Sequence, residues 1–120
     1  MAKKVIVRTA QPGETANARR VLADISSATP DPSVPGDGVL LQRNEFIHLL
    51  FKVGGAPVFS VQLWWYSSIS EEWHKGEAFN VNDNDLTTIE AQGLSRVYVQ
   101  VTSVSGTGTL DAWVGLVVPT

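Results

Sequence analysis

His48 and His74 are the only side chains here of the type that most often acts as a general base near neutral pH. A hydroxyl nucleophile would need one of them within hydrogen-bond reach. His48 stands in the run FIHLLF on the face shared with Phe46 and Leu50, where a half-exposed strand histidine needs no catalytic role. His74 lies between Trp73 and Lys75 in a polar segment, the setting of a surface residue. They lack the close HxH or HxxxH spacing with which two imidazoles share a zinc ion, and with no cysteine in the chain there is no thiolate ligand. No GxSxG, HExxH, glycine-rich phosphate loop or dinucleotide fingerprint occurs. Asn80, Asn82, Asp83, Asn84 and Asp85 offer oxygens for calcium, but the run has neither the turn glycine nor the terminal glutamate of a calcium-binding helical loop. Such clusters also make plain turns through bonds to their own backbone. Glu71, Glu72 and Glu77 read as a solvated rim, because no pocket is apparent to separate their pKa values. The expectation is a protein that is not an enzyme and uses no cofactor and no metal.

Aromatic residues are more informative. Trp64 and Trp65 are adjacent on a strand, so they point to opposite sides; with Trp65 in the core beside Val61 and Leu63, Trp64 and Tyr66 lie on the outer face. Trp113 is likewise out of phase with the apolar set from Leu110 to Val118, and Trp73 stands in a polar segment. Trp64, Tyr66, Trp73 and Trp113 are therefore the candidate contact residues. Three covers are open to such a face: a second protein chain, a sugar ring stacked on the indoles, or the proline-rich part of the same chain. Alternation on both sides of several strands favours subunit contact.

The elements that carry these residues follow from periodicity. KVIVRT, residues 4–9, is β-prone because its β-branched side chains suit a pleated surface. Residues 14–25, ETANARRVLADI, contain good helix formers and bring Ala18, Val21, Leu22 and Ile25 near one face, so one or two helical turns are expected there. Pro30, Pro32 and Pro35, with Gly36 and Gly38, make the next stretch an extended loop or arm. From residue 39 the period becomes two. Ile47, Leu49, Phe51 and Val53 form one apolar face, Phe59, Val61, Leu63 and Trp65 a second, Val97, Val99 and Val101 a third, and Leu110, Ala112, Val114, Leu116 and Val118 a fourth. The Gly54 to Pro57 turn and the SGTGT turn each suggest an antiparallel hairpin, and EEWHKGEAFNVN suggests strand broken at Gly76. Seven or eight strands without an intervening helical pattern predict an all-β, single-domain antiparallel β-sandwich, jelly-roll-like, with a proline-rich N-terminal arm or long loop. The arm would comprise residues 1–38 and the sandwich core residues 39–120.

Composition narrows the function classes. A chain of 120 residues suits one domain, and a hydrophobic fraction of 43% with 18% charged residues suits a folded one. No stretch reaches the roughly 18 consecutive apolar residues of a spanning helix, and the apolar part of MAKKVIVR is too short for a signal peptide, so no membrane partner is expected. Residues 1–43 hold six Lys/Arg and four Asp/Glu, whereas residues 44–120 hold three and eight. That acidic balance would repel a phosphate backbone, so no nucleic-acid partner is expected either; Lys3, Lys4, Arg8, Arg19 and Arg20 read as a solvated or partner-facing arm.

The C-terminal half, LSRVYVQVTSVSGTGTLDAWVGLVV, resembles the closing hairpin of small β-sandwich structural proteins of tailed bacteriophages, of the capsid decoration or cement and head-fibre-base types. The resemblance lies in the strand VYVQVTSV, the Gly-rich turn SGTGT and a final strand near the terminus, and the proline-rich region is similar to the arms such proteins lay over neighbouring subunits. No family residue transfers position by position. What the resemblance implies is a virion protein that forms a homo-oligomer, a trimer in the first instance, and stabilises a lattice of major capsid protein. The alternative is a carbohydrate-binding module that takes a glycan on its exposed aromatics.

Overall fold

The structure is a computed structural model that describes residues 18–41, 46–90 and 94–117. Eight strands appear in it: β1 (Ala18–Ile25), β2 (Val39–Leu40), β3 (Phe46–Gly55), β4 (Val58–Ser67), β5 (Glu72–Val81), β6 (Asp85–Glu90), β7 (Arg96–Ser105) and β8 (Gly108–Val117). They form two four-stranded antiparallel sheets, β1-β8-β3-β6 (sheet I) and β2-β7-β4-β5 (sheet II). Period-two sequences fill the space between the sheets. Ile47, Leu49 and Phe51 of β3, Leu110, Ala112 and Val114 of β8, Phe59, Val61, Leu63 and Trp65 of β4, and Val97, Val99 and Val101 of β7 are all buried. These members of the four apolar faces expected from the sequence thus line the two inner surfaces of a sandwich.

Strands pair first with last: β1 with β8, β2 with β7, β3 with β6 and β4 with β5. That nesting is the jelly roll, two interlocked Greek keys. The β3–β8 ladder runs from Phe46↔Val117 to Gly55↔Gly108 and continues without a slip into β4–β7 at Val58↔Ser105. β3-β4 and β7-β8 are therefore one long ribbon bent double. Both bends were expected to be hairpins, and both are corners at which the chain leaves one sheet for the other. The physical reason is that each strand buries large apolar groups on one face, and two such faces gain as much by opposing across a core as by lying side by side. The turns pack on each other, and Gly108 is required there: a Cβ would overlap the Gly54 carbonyl and the Pro57 ring. With β7 and β8 in different sheets, the feature of SGTGT that resembled a closing hairpin is such a corner.

Two further expectations are corrected. Residues 18–25 are strand β1, not helix. The ladder slips between Leu22↔Ala112 and Ile25↔Leu110, so the three-residue spacing that read as helical comes from a bulge that sends both Leu22 and Ile25 toward the core. Asp24, inside the bulge, has φ of +49°, a left-handed conformation that aspartate tolerates better than most residues. β1 also makes residues 18–25 part of the sandwich, which leaves 26–38 as the extended segment. In β5 the strand does not break at Gly76. It bulges there, between Gln62↔Ala78 and Trp64↔Lys75, and the position needs glycine, because a Cβ at Gly76 would overlap the buried Trp65 indole. The run 4–9, the turn at Gln92 and Gly93, and Val118 lie outside the described residues.

Candidate interaction surfaces

On the outer face of sheet II, alternation along β4, β5 and β7 brings Trp64, Tyr66, Trp73, Tyr98 and Gln100 together. Tyr66 and Trp73 are cross-strand partners with ring centroids 5.3 Å apart, and Trp73 meets Tyr98 at 6.1 Å, both edge to face. Each ring spends its edge or face on the next, an arrangement that is stabilising in itself. Lys75 sits over the Trp64 ring, 5.4 Å from its centroid.

The chain covers part of this face itself. Leaving β1, it crosses to the free edge of β7, where Thr29 N–H donates to the Val101 carbonyl (2.8 Å) and Val101 N–H donates to Thr29 Oγ1 (2.9 Å). It then runs over the aromatics as an extended strap. Tyr98 donates its hydroxyl to the Pro30 carbonyl at 2.8 Å and Trp73 its indole N–H to the Val34 carbonyl at 3.3 Å. Gln100 Nε2 donates to the Thr29 carbonyl (3.2 Å) and to Asp31 Oδ1 (2.6 Å), while its Oε1 accepts from Trp64 Nε1 at 2.7 Å. Prolines suit the strap because extended backbone without N–H groups leaves carbonyls to be read by side-chain donors. The strap ends in a 3-10 turn, Pro35–Asp37, where the Asp37 carboxylate accepts from the N–H groups of Ser33 and Val34; those bonds hold its pKa below the ordinary range. Burial raises the Tyr98 pKa. A cavity of about 150 Å³ opens beside the strap at the sandwich edge, lined by Arg19, Arg20, Asp37, Tyr98 and the backbone of β2 and β7.

Sheet I presents a different outer face. By register, Arg20, Trp113, Leu50 and Leu86 form one row across β1, β8, β3 and β6, with His48 and Thr88 in the next row and Phe46 beyond. Leu50 and Phe46 are 39% and 36% exposed, and Trp113 and Leu86 are half-buried. The Arg20 guanidinium lies 5.6 Å from the Trp113 ring centroid and pairs with Asp111 Oδ1, which also accepts from the Asp24 N–H at 2.9 Å. That backbone bond, then the guanidinium, holds the Asp111 carboxyl below its usual range.

The chemistry-bearing residues separate. His48 Nδ1 lies 3.2 Å from Thr88 Oγ1 on the outer face of sheet I. His74 Nε2 lies 2.7 Å from Ser70 Oγ in the exposed β4–β5 turn, where the contact staples the hairpin. In the 82–85 turn, Asn84 N–H donates to Asp83 Oδ1 at 2.7 Å and Asn84 Oδ1 accepts from Val53 N–H at 2.9 Å, so the cluster serves the backbone. Among the described residues no group of three or more His, Asp or Glu is placed to hold a metal ion, and no helix is long and apolar enough to cross a membrane.

No protein-family model matches the chain, and no curated protein does. Among solved structures it is similar to the SPBc2 prophage-derived protein YomS. The likeness spans 93% of this chain and 99% of that one, at 15% identity and a TM-score of 0.48.

Alternation put Trp64, Tyr66 and Trp113 on outer faces and left Trp73 in a polar segment; the structure brings Trp64, Tyr66 and Trp73 together on sheet II, with Trp113 on sheet I. Sequence reasoning missed the parts played by Gln100, Tyr98, Asp111 and Leu50. The signal for Gln100 and Asp111 was a polar residue inside an apolar run, and for Leu50 a leucine on the side of β3 opposite the core.

Proposed function

We propose that the protein is a non-enzymatic structural component of a virion, of the capsid decoration or cement kind, which forms a homo-oligomer and contacts a lattice of major capsid protein. The observation that carries this reading is the row Trp113, Leu50 and Leu86 on sheet I. The chain strapped one aromatic face with its own residues and left leucine and tryptophan in register on the other. Grouped apolar side chains rimmed by charge, here Arg20 and Lys52, mark contact surfaces. Many copies bound this way add contacts that are lost only when the shell opens, so weak individual contacts suffice. The acidic body supports a protein partner over nucleic acid. A glycan is the lesser reading, because the sheet II rings pack edge to face and Trp73 is engaged by the strap. Sedimentation equilibrium is the test: a defined oligomer, a trimer first, is expected as concentration rises, and a monomer throughout would overturn the proposal.

A further inference from the structure

The cavity beside the strap lies where sheet II lacks a rung. At the free edge of β7 the Val101 carbonyl and N–H both bond Thr29, which fixes the direction of its backbone groups. Alternation along a strand turns those of Val97 and Val99 the same way, away from β4. Val97 is paired there with Val39, and Ser95 accepts from the Leu41 N–H at 2.8 Å. The same register would set Asp37 against Val99. That rung does not form, because the 3-10 turn draws the Asp37 N–H to the Val34 carbonyl at 3.0 Å. Val99 is 3% exposed, and no described residue bonds its edge-facing N–H and C=O. Buried peptide groups of this kind call for a partner.

Opposite charges line the same space. Arg19, exposed and without a partner among the described residues, reaches it from β1. Asp37 reaches it from the strap. The bonds that its carboxylate accepts, from the Ser33 N–H, the Ser33 hydroxyl and the Val34 N–H, all end on Oδ2, which leaves Oδ1 open. Arg20 also lines the cavity, but its guanidinium is committed to Asp111 and Trp113. Val21, Val39 and Val97 supply apolar wall.

We infer that this cavity is a binding site for a small α-amino acid in its zwitterionic form. The carboxylate accepts from the Val99 N–H and the Arg19 guanidinium, and the ammonium donates to the Val99 carbonyl and Asp37 Oδ1. A ligand with only one of the two charges leaves a charged group of the site unmatched, and charge-assisted bonds are the strong ones. A volume of about 150 Å³ suits a molecule of about six non-hydrogen atoms, the size of alanine. The inference is independent of the assembly reading, since a monomer carries the whole site.

Titration of the full chain with L-alanine, followed by amide-resolved NMR, tests it. Saturable shifts should centre on the amides of Val99, Gly38 and Val39. Alaninamide lacks the carboxylate and N-acetylalanine lacks the ammonium, so each should bind about tenfold more weakly than alanine or worse. Arg19→Gln changes an exposed side chain and should leave the rest of the spectrum in place while weakening alanine about tenfold. The inference is overturned if alanine moves no amide around Val99, the result expected of a cavity that takes only water. It is equally overturned if N-acetylalanine binds as tightly as alanine, which would mean that a carboxylate alone is read, or if Arg19→Gln binds alanine unchanged.

Discussion

Asp111 shows how one side chain can fix a strand edge. Its carboxylate receives the Asp24 N–H across the bulge of β1 and the Arg20 guanidinium beside Trp113. Asp111→Ala should destabilise the fold by about 1–2 kcal/mol, the cost of an N–H and a charged donor left without their acceptor, read by urea unfolding. The pH dependence has a definite sign. Asp111 and Asp37 both have carboxyl pKa values lowered by bonds in the folded state, so their contribution is fully present above the unfolded carboxylate pKa of about 3.9 and is lost as pH falls below it through the folded values. Acid unfolding should steepen below about pH 4, and Asp111→Asn should flatten that limb; an unchanged limb would contradict the account. Gly76 is a second residue-scale lever. Gly76→Ala should cost about 1–3 kcal/mol, because the new methyl meets the Trp65 indole inside the core and the indole has nowhere to go.

The strap belongs to the scale of the element. Its hold depends on Gln100, which bonds the strap with its amide nitrogen and Trp64 with its oxygen. Gln100→Ala should expose the amides of Thr29, Asp31, Ser33 and Val34 to faster hydrogen exchange and shift tryptophan emission to the red, while β3 and β8 keep their protection. Uniform loss of protection would instead mean that strap and sandwich unfold as one unit. The raised Tyr98 pKa adds an alkaline limb: stability from its protonated hydroxyl is complete below the unfolded pKa of about 10 and is lost as pH rises through the folded value. Elements also show what the sequence leaves open. The inner faces at Ile47, Phe59, Val97 and Leu110 are legible because period-two alternation reports burial directly. Partner choice is not, since a Gly/Pro turn such as 54–57 serves a hairpin and a corner equally well, and Leu22 and Ile25 look helical when a bulge supplies the third residue. Gln100 and Tyr98 were legible as outer-face residues, but the strap they hold comes from some 70 positions away, beyond any local pattern.

At the scale of the whole molecule, the jelly roll places its two outer faces in different states. One is strapped by its own chain, and the other displays Trp113, Leu50 and Leu86 in one row. Each face on its own fits an ordinary sandwich, and their contrast is what favours assembly. Trp64, Tyr66 and Trp113, which alternation turns outward, lie on outer faces. The apolar row was harder to see, because its members come from three strands that become neighbours only through the β6-β3-β8 order.

Sedimentation velocity over a range of concentrations, on the wild type, Leu50→Glu and Ile69→Glu, tests the central claim most directly. Ile69 is 96% exposed in the β4–β5 turn and serves as a control for losing any apolar surface group. The wild type and Ile69→Glu should form the same oligomer, with Leu50→Glu dissociating about tenfold more readily or worse, as expected for loss of a buried anchor. Three monomers at every concentration, or an oligomer that Leu50→Glu leaves intact, would contradict the account.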